Sequence, residues 1–335
     1  MKFEFQKFFA YCIDGNIRPA LDLLESYDHV SLSEKELTFK TEFENRFKFS
    51  TDSSNYRNNE TPPLSDLLKL YVRYWRESVL DISGNYEQSL MNDVSDFLKI
   101  NFPPAEHIEP DKEKLDIYLK DYITSLGFYT TGFGKTGKYF DLLVWKTEEE
   151  KNYSFKMHEE ETNVKVVFMD DFITLGWEEY ATLGKLYPGG WATKESLFCV
   201  KKAYDTESEN FKISYLAHES RHFADYKLFP KLKSTDLEYR AKLTELSLLK
   251  NNLYNVIAFF ISNSNYDSDN GHSVANYCVI RDLSEKLFGS ANEIDINKWK
   301  EVSIDKINES AYQILQENTI ALKKIGDGVE KFIKN

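Results

Sequence analysis

The chain has 335 residues, 41% of them hydrophobic, with a formal net charge of −13 and a pI near 5.1. That length and composition suffice for one large core or two moderate ones and exclude a disordered chain. The acidic balance, without any Lys/Arg run interleaved with aromatics, repels a phosphate backbone and argues against nucleic acid as a partner.

From Met1 to Leu21 every apolar run is interrupted, by Lys2, Glu4, Lys7, Asp14 and Arg18. Neither a signal-peptide core nor a membrane span fits there. Cys12, Cys199 and Cys278 are odd in number and lack Cys-x-x-Cys spacing, so they are expected to be free, buried thiols. Both observations point to a cytoplasmic location and no membrane partner.

Apolar residues recur at helical spacing in Phe8, Cys12, Ile17, Leu21 and Leu24, and again in Leu67, Leu70, Tyr71, Tyr74, Trp75 and Val79. Residues 1–126 are therefore expected to form a mainly helical N-terminal region. The stretch from Ser50 to the Pro62-Pro63 pair and the proline-containing stretch Asn101–Pro110 read as connections.

From Gly127 the period changes, and residues 127–335 are expected to form a second domain. Tyr139–Trp145, Tyr153–Met157 and Val164–Met169 read as strands of a small, mainly antiparallel sheet. Gly132–Tyr139 nearly matches a phosphate-binding loop, but Tyr139 replaces the required Ser/Thr and a strand-like run follows. A glycine-rich β-turn is the better reading. The acidic runs Glu148–Lys151 and Glu159–Glu161 read as solvated hairpin turns, since a calcium site needs a defined loop. Tyr187–Trp191 reads as a turn whose indole is more readily core than cleft, and Ser196–Tyr204 as a further strand. Helical spacing returns at Phe211 and persists to the end, with breaks near Pro230, across residues 265–271 and near Gly289. Helices, then sheet, then helices make an α+β fold, without an internal repeat.

The chemistry sits in His218-Glu219-Ser220-Arg221-His222. On a helix, residues four apart share a face, so His218 and His222 can present imidazole nitrogens to one ion with Glu219 beside them. The segment Phe211–Phe229 contains no Pro or Gly and is stopped by Pro230, so it can be a helix. Two imidazoles suit zinc, and a catalytic zinc site needs a third protein ligand with a fourth position left for water. Glu219 is the natural general base. The competing reading leaves both histidines as decoration on a partly exposed helix face.

Glu238 is the favoured third ligand, although Thr235-x-x-Glu238 also fits a capping box. Asp225 shares the stripe of His218 and His222; it is a candidate for holding an imidazole N–H, a possible third ligand, or a solvated acid. Glu245, seven residues after Glu238, supports a ligand from behind or is an ordinary surface acid. His272, at a helix start, is the candidate for stabilising an oxyanion, or a simple helix-start residue.

Taken together, His218-Glu219-x-x-His222 followed by Glu238-Tyr239-Arg240-Ala241 resembles the gluzincin branch of the zincin metallopeptidases over roughly residues 195–250. The resemblance implies Zn2+ bound by His218, His222 and Glu238, water activated by Glu219, and a peptide or protein substrate paired along an edge strand at Ser196–Tyr204. The gap from His222 to Glu238 is shorter than the thermolysin-like pattern, and Asp225 and Leu228 stand where metzincins carry Gly and a third His. The HExxHxxD and Glu-Tyr-Arg-Ala pattern also resembles an uncharacterised bacterial family, which brings no activity with it. Alongside a zinc-dependent peptide or amide hydrolase, two further readings stay open: a non-catalytic zincin-like scaffold that binds a peptide or protein, and a helical interaction protein whose histidines bind nothing. No oligomeric state is read from the sequence.

Overall fold

The computed structural model describes residues 3–27, 32–49, 62–158, 160–267 and 270–333. The expected connection at 50–61, the acidic residue Glu159 and part of the break at 265–271 lie outside the described residues, as do Met1 and Lys2. The chain divides into two compact units: Met1–Thr147 with Asp170–Pro188, and Glu148–Met169 with Gly189–Asn335. The boundary expected after residue 126 thus falls inside the first unit.

The first unit opens with α1 (Phe5–Ile13), α2 (Ile17–Glu25), α3 (Glu34–Phe47), α4 (Pro62–Leu80), α5 (Glu87–Asn101) and α6 (Lys112–Ser125). Ser33 and Glu36 close a reciprocal capping box at the start of α3, so two amides without helical partners are satisfied there. Pro62 opens α4 rather than ending a connection, because a missing N–H and a fixed φ cost nothing at a first helical position. The apolar stripes meet in an aromatic core in which Phe8 and Phe43 pack edge to face, with centroids 4.8 Å apart. Trp75 is fully buried there and donates its indole N–H to the Phe140 carbonyl at 2.9 Å.

Short strands β1 (Tyr129–Thr130), β2 (Gly134–Thr136) and β3 (Tyr139–Asp141) follow, then the long β4 (Leu143–Met157) and β5 (Glu160–Leu175), then α7 (Trp177–Ala181). β2 and β3 form a hairpin, so the glycine-rich Gly132–Tyr139 segment is a β-turn. The buried Asp141 carboxylate accepts the Leu142 and Trp177 amides on Oδ1, at 2.9 and 2.8 Å. Gly176 (φ +90°) lets the chain pass this carboxylate, since a Cβ there would lie 2.3 Å from Oδ1. Burial pushes the Asp141 pKa up to about 7.

Two more strands, β6 (Gly190–Ala192) and β7 (Leu197–Val200), complete a five-stranded sheet in the order β1-β4-β5-β7-β6. The sheet is mixed. β1–β4 and β6–β7 are antiparallel, but β5 and β7 are parallel, with Val166 opposite Leu197. A parallel pair needs a long connection, and residues 176–196 supply it. Glu148–Lys151 corrects the turn reading: these residues lie inside β4, exposed. Cross-strand and neighbouring lysines offset their charge, with Lys165 Nζ 2.9 Å from Glu150 and Lys201 Nζ 3.3 Å from Glu149.

The rest of the second unit is helical. A π-helical segment, Asn210–Ala217, runs directly into α8 (His218–Leu228), followed by α9 (Ser234–Leu248), α10 (Leu253–Ser262), α11 (Gly271–Phe288), α12 (Ile296–Glu301) and α13 (Ile304–Ile325). Gly289 ends α11 in the left-handed conformation. One apolar cluster joins Val166, Phe168, Leu197 and Cys199 to Phe211, Tyr215 and Leu216, seating the π-helical segment on the sheet. Another surrounds Leu243, Leu246 and Cys278 and ties α9 to α10, α11 and α13. All three cysteines are free and buried. The fold is α+β: helices, sheet, helices. Among the described residues no helix is long and apolar enough to cross a membrane.

Candidate metal centre

The site is built on the α8–α9 hairpin. The five residues 229–233, with Pro230 among them, turn the chain. Contacts then pair His218 with Glu245, Arg221 with Thr244 and Asp225 with Arg240, so the two helices run antiparallel. A π-turn holds more residues than an α-turn, so the residues before His218 are rotated out of phase with those after it. That offset puts Phe211 and Tyr215 into the sheet core while His218 and His222 face α9.

His218, His222 and Glu238 are buried, and one donor atom from each lies within 4.8 Å of the others. His222 Nε2 is 3.2 Å from Glu238 Oε1, and His218 Nε2 is 3.5 Å from Glu238 Oε2. Glu238 Oε2 and His222 Nδ1 are buried without a hydrogen-bond partner. Two imidazole nitrogens and a carboxylate that meet in a buried site are a donor set for a cation. The three residues fit a metal ion and can hold one. Burial opposes charge on Glu238, but His272, His222 and His218 outweigh it and hold the carboxyl well below the usual carboxylate range. Burial likewise opposes charge on His218, yet Glu238 and Glu245 lift its pKa to about 10. A metal ion bound there would have to compete with the His218 proton.

The other expected residues divide. Glu245 is buried with Oε2 3.6 Å from His218 Nδ1, the nitrogen pointing away from Glu238. At that distance the contact is electrostatic: His218 Nδ1 is buried without a hydrogen-bond partner. Glu219 follows His218 on α8 and is half-buried, so it can be reached from solvent. His272, in the first turn of α11, is 63% exposed and brings Nδ1 to 2.9 Å from Glu238 Oε2, although the approach is not aligned as a hydrogen bond. The capping-box alternative for Glu238 is not realised: α9 starts at Ser234, Lys233 is its N-cap, and no side chain caps it.

Asp225 is neither a ligand nor a support for an imidazole. Both its oxygens are taken by the guanidinium of Arg240, at 2.7 and 2.9 Å, in a fully buried fork. The same guanidinium donates to Asn318 and Thr319 of α13 and lies over the Phe229 ring. The expectation for Ser196–Tyr204 is also corrected. β7 is flanked by β5 and β6, so its backbone is spoken for on both sides. The edge is β6, which packs against α8. Trp191 lies on β6 half-buried and stacked on Phe198 at 5.4 Å, so it is not a core residue.

Two residues near the site escaped sequence reasoning. Lys242, buried one turn after Glu238, places Nζ 3.7 Å from Glu238 Oε2 and 4.8 Å from the Phe260 ring centre. Its spacing of four from Glu238 was the available signal. Tyr226 is half-buried, one turn after His222, with its ring 6.4 Å from that imidazole.

Searches for resemblance find no matching family model, curated protein or solved structure. The geometry therefore carries the functional argument alone.

Proposed function

We propose that the protein is a zinc-dependent hydrolase of peptide or other amide bonds, built on a zincin-like helix. The buried meeting of His218, His222 and Glu238 carries this reading. Two nitrogens and one carboxylate oxygen are the ligand set of a catalytic zinc with a position left for water. Zinc bound there supplies Lewis acidity toward a carbonyl and lowers the pKa of water to near neutrality.

The chain's own residues supply the rest. Glu219, half-buried beside His218, takes the proton of the attacking water and returns it to the leaving amine. Glu245 stands 3.6 Å behind the His218 ring, where its carboxylate would take the Nδ1 proton's hydrogen bond while Nε2 faces Glu238. β6 offers a place for an extended substrate. Val200 N–H donates to Gly189 O and Thr193 N–H to Ser196 O, both at 2.9 Å, so alternation turns the amides and carbonyls of Gly190 and Ala192 to the other side. Gly190 suits that close packing, since a Cβ there would come within 2.2 Å of the Phe198 carbonyl oxygen.

A second reading, a non-catalytic metal site that stabilises a binding scaffold, is favoured by the approach of His272 to Glu238, because a fourth protein donor would close the coordination sphere. Elemental analysis of the metal-replete protein and its variants separates the readings. Near-stoichiometric zinc is expected in the wild type and its loss in His222→Ala and Glu238→Ala. Glu219→Gln is expected to keep zinc and lose hydrolysis of a peptide library. Zinc absent from the wild type overturns both readings; hydrolysis absent from a zinc-loaded wild type leaves the scaffold.

A further inference from the structure

Glu238 faces both imidazoles, Oε1 toward His222 at 3.2 Å and Oε2 toward His218 at 3.5 Å, so on its own it is placed to grip a cation with both oxygens. A one-oxygen grip would leave more of the coordination sphere free for water than a two-oxygen grip. Two further donors approach this carboxylate, and both approach the same oxygen. His272 Nδ1 comes from α11 to 2.9 Å of Oε2, and Lys242 Nζ comes from within α9 to 3.7 Å of Oε2.

Lys242 is out of place unless it has such a task. It is 5% exposed, and a buried ammonium is costly without a counter-charge. The Phe260 face beneath it supplies only part of that compensation. Glu245, one turn further along α9, is directed at His218, which leaves Glu238 Oε2 as the anion nearest the ammonium.

Building on the metal-site reading above, we propose that His272 and Lys242 are positioning residues that jointly hold Oε2 of Glu238, so that Glu238 binds the metal through Oε1 alone and a coordination position stays open. Neither residue binds the metal. In the metal-loaded protein His272 would donate from its Nδ1–H, which already lies 2.9 Å from Oε2, and Lys242 would supply the charge that keeps Oε2 turned away from the ion. The clamp joins α9 to the first turn of α11, where Gly271 packs against Ser234 and Thr235; a Cβ at Gly271 would sit 3.2 Å from the Ser234 hydroxyl.

The test uses the full-length protein loaded with cobalt(II), whose visible absorption reports coordination number and ligand type without reference to any substrate. The variants are His272→Ala, His272→Asn and Lys242→Met. Asn places its amide nitrogen close to where Nδ1 sits, and Met keeps the length and apolar contacts of the Lys stem. Circular dichroism and thermal melting confirm that each variant is folded. Cobalt affinity is expected to fall by at least about tenfold in His272→Ala and in Lys242→Met, the scale seen when a group supporting a ligand is removed, and to recover in His272→Asn. The wild-type spectrum is expected to shift on adding azide, as the open position fills, and that shift is expected to shrink in His272→Ala. Equal loss in His272→Ala and His272→Asn with loss of a nitrogen ligand from the spectrum makes His272 a direct ligand and overturns the clamp. Unchanged affinity in both His272→Ala and Lys242→Met overturns it as well. Failure of the wild type to bind cobalt or zinc at all is a different result, because it removes the metal-site reading and the clamp with it.

Discussion

The aromatic core of the first unit and the α8–α9 interface of the second are both buried, and they are held by different physics. Around Phe8, Phe43, Trp75 and Tyr180 the packing is apolar; the Trp75 indole N–H reaches a backbone carbonyl, and the Tyr71 and Tyr122 hydroxyls are buried without a hydrogen-bond partner. Between α8 and α9 the buried set includes His218, Arg221, His222, Asp225, Glu238, Arg240, Lys242 and Glu245. Removing an ion pair from water costs several kcal/mol per charge, so these residues stabilise the helix pair less than well-packed apolar groups of the same size would. The interface itself has two parts. Asp225 and Arg240 satisfy each other in a bidentate fork, whereas Glu238 Oε2 and His222 Nδ1 are left without partners. The closed pair holds the helices in register, and the incomplete set could hold a metal ion.

This contrast is broken or sharpened first by two substitutions of similar size and different remedy. Phe43→Ala is expected to cost about 3–5 kcal/mol of unfolding free energy, through lost burial and the cavity left behind. Asp225→Ala is expected to cost about 3–5 kcal/mol by stranding a buried guanidinium. Both are read by urea unfolding of chelator-treated protein. The double variant Asp225→Leu/Arg240→Met should regain most of the second loss, because matched apolar groups remove the desolvation cost altogether. A cost under about 1 kcal/mol for Asp225→Ala would mean that the two regions are held alike.

A smaller effect concerns Asp141, a buried carboxylate of the first unit. Its pKa is raised to about 7 by burial, above the ordinary 3.8, so its stabilising contribution is fully present below pH 3.8 and is lost as pH rises through 7. The loss is at most about 4 kcal/mol, from about 1.4 kcal/mol per pH unit. Asp141→Asn keeps an acceptor for the Leu142 and Trp177 amides and is expected to flatten this slope, leaving the variant the more stable protein at pH 8. An unchanged slope in unfolding experiments between pH 4 and pH 8 would remove Asp141 as its source.

Much of the fold was legible because periodicity is local. The helical first part, the strands after Gly127, the β-turn at Gly132–Tyr139 and the helix through His218 all followed from spacing and from Gly/Pro placement. Two local readings failed for tertiary reasons. Glu148–Lys151 has the composition of a turn, but neighbouring lysines let it lie inside β4. Trp191 has the composition of a core residue, but it lies half-buried on the edge strand, stacked on Phe198.

At the centre, the sequence by itself determined that His218 and His222 share one face of a helix with Glu219 beside them, because a helix of 3.6 residues per turn leaves no other arrangement. It also placed Glu238 and Glu245 on one face of the helix after the Pro230 turn. Only the tertiary structure decided which carboxylate meets which cation. Asp225 lies on the same stripe as the two histidines and was the alternative to the favoured Glu238, yet it is turned to Arg240, while Glu238 is turned to the imidazoles. Periodicity fixes the face of a helix and says nothing about which residue of an antiparallel neighbour stands opposite. That choice depends on the five-residue turn at 229–233, on the π-helical offset before His218, and on the arrival of Lys242 and His272 at the same oxygen, from one turn along α9 and from α11.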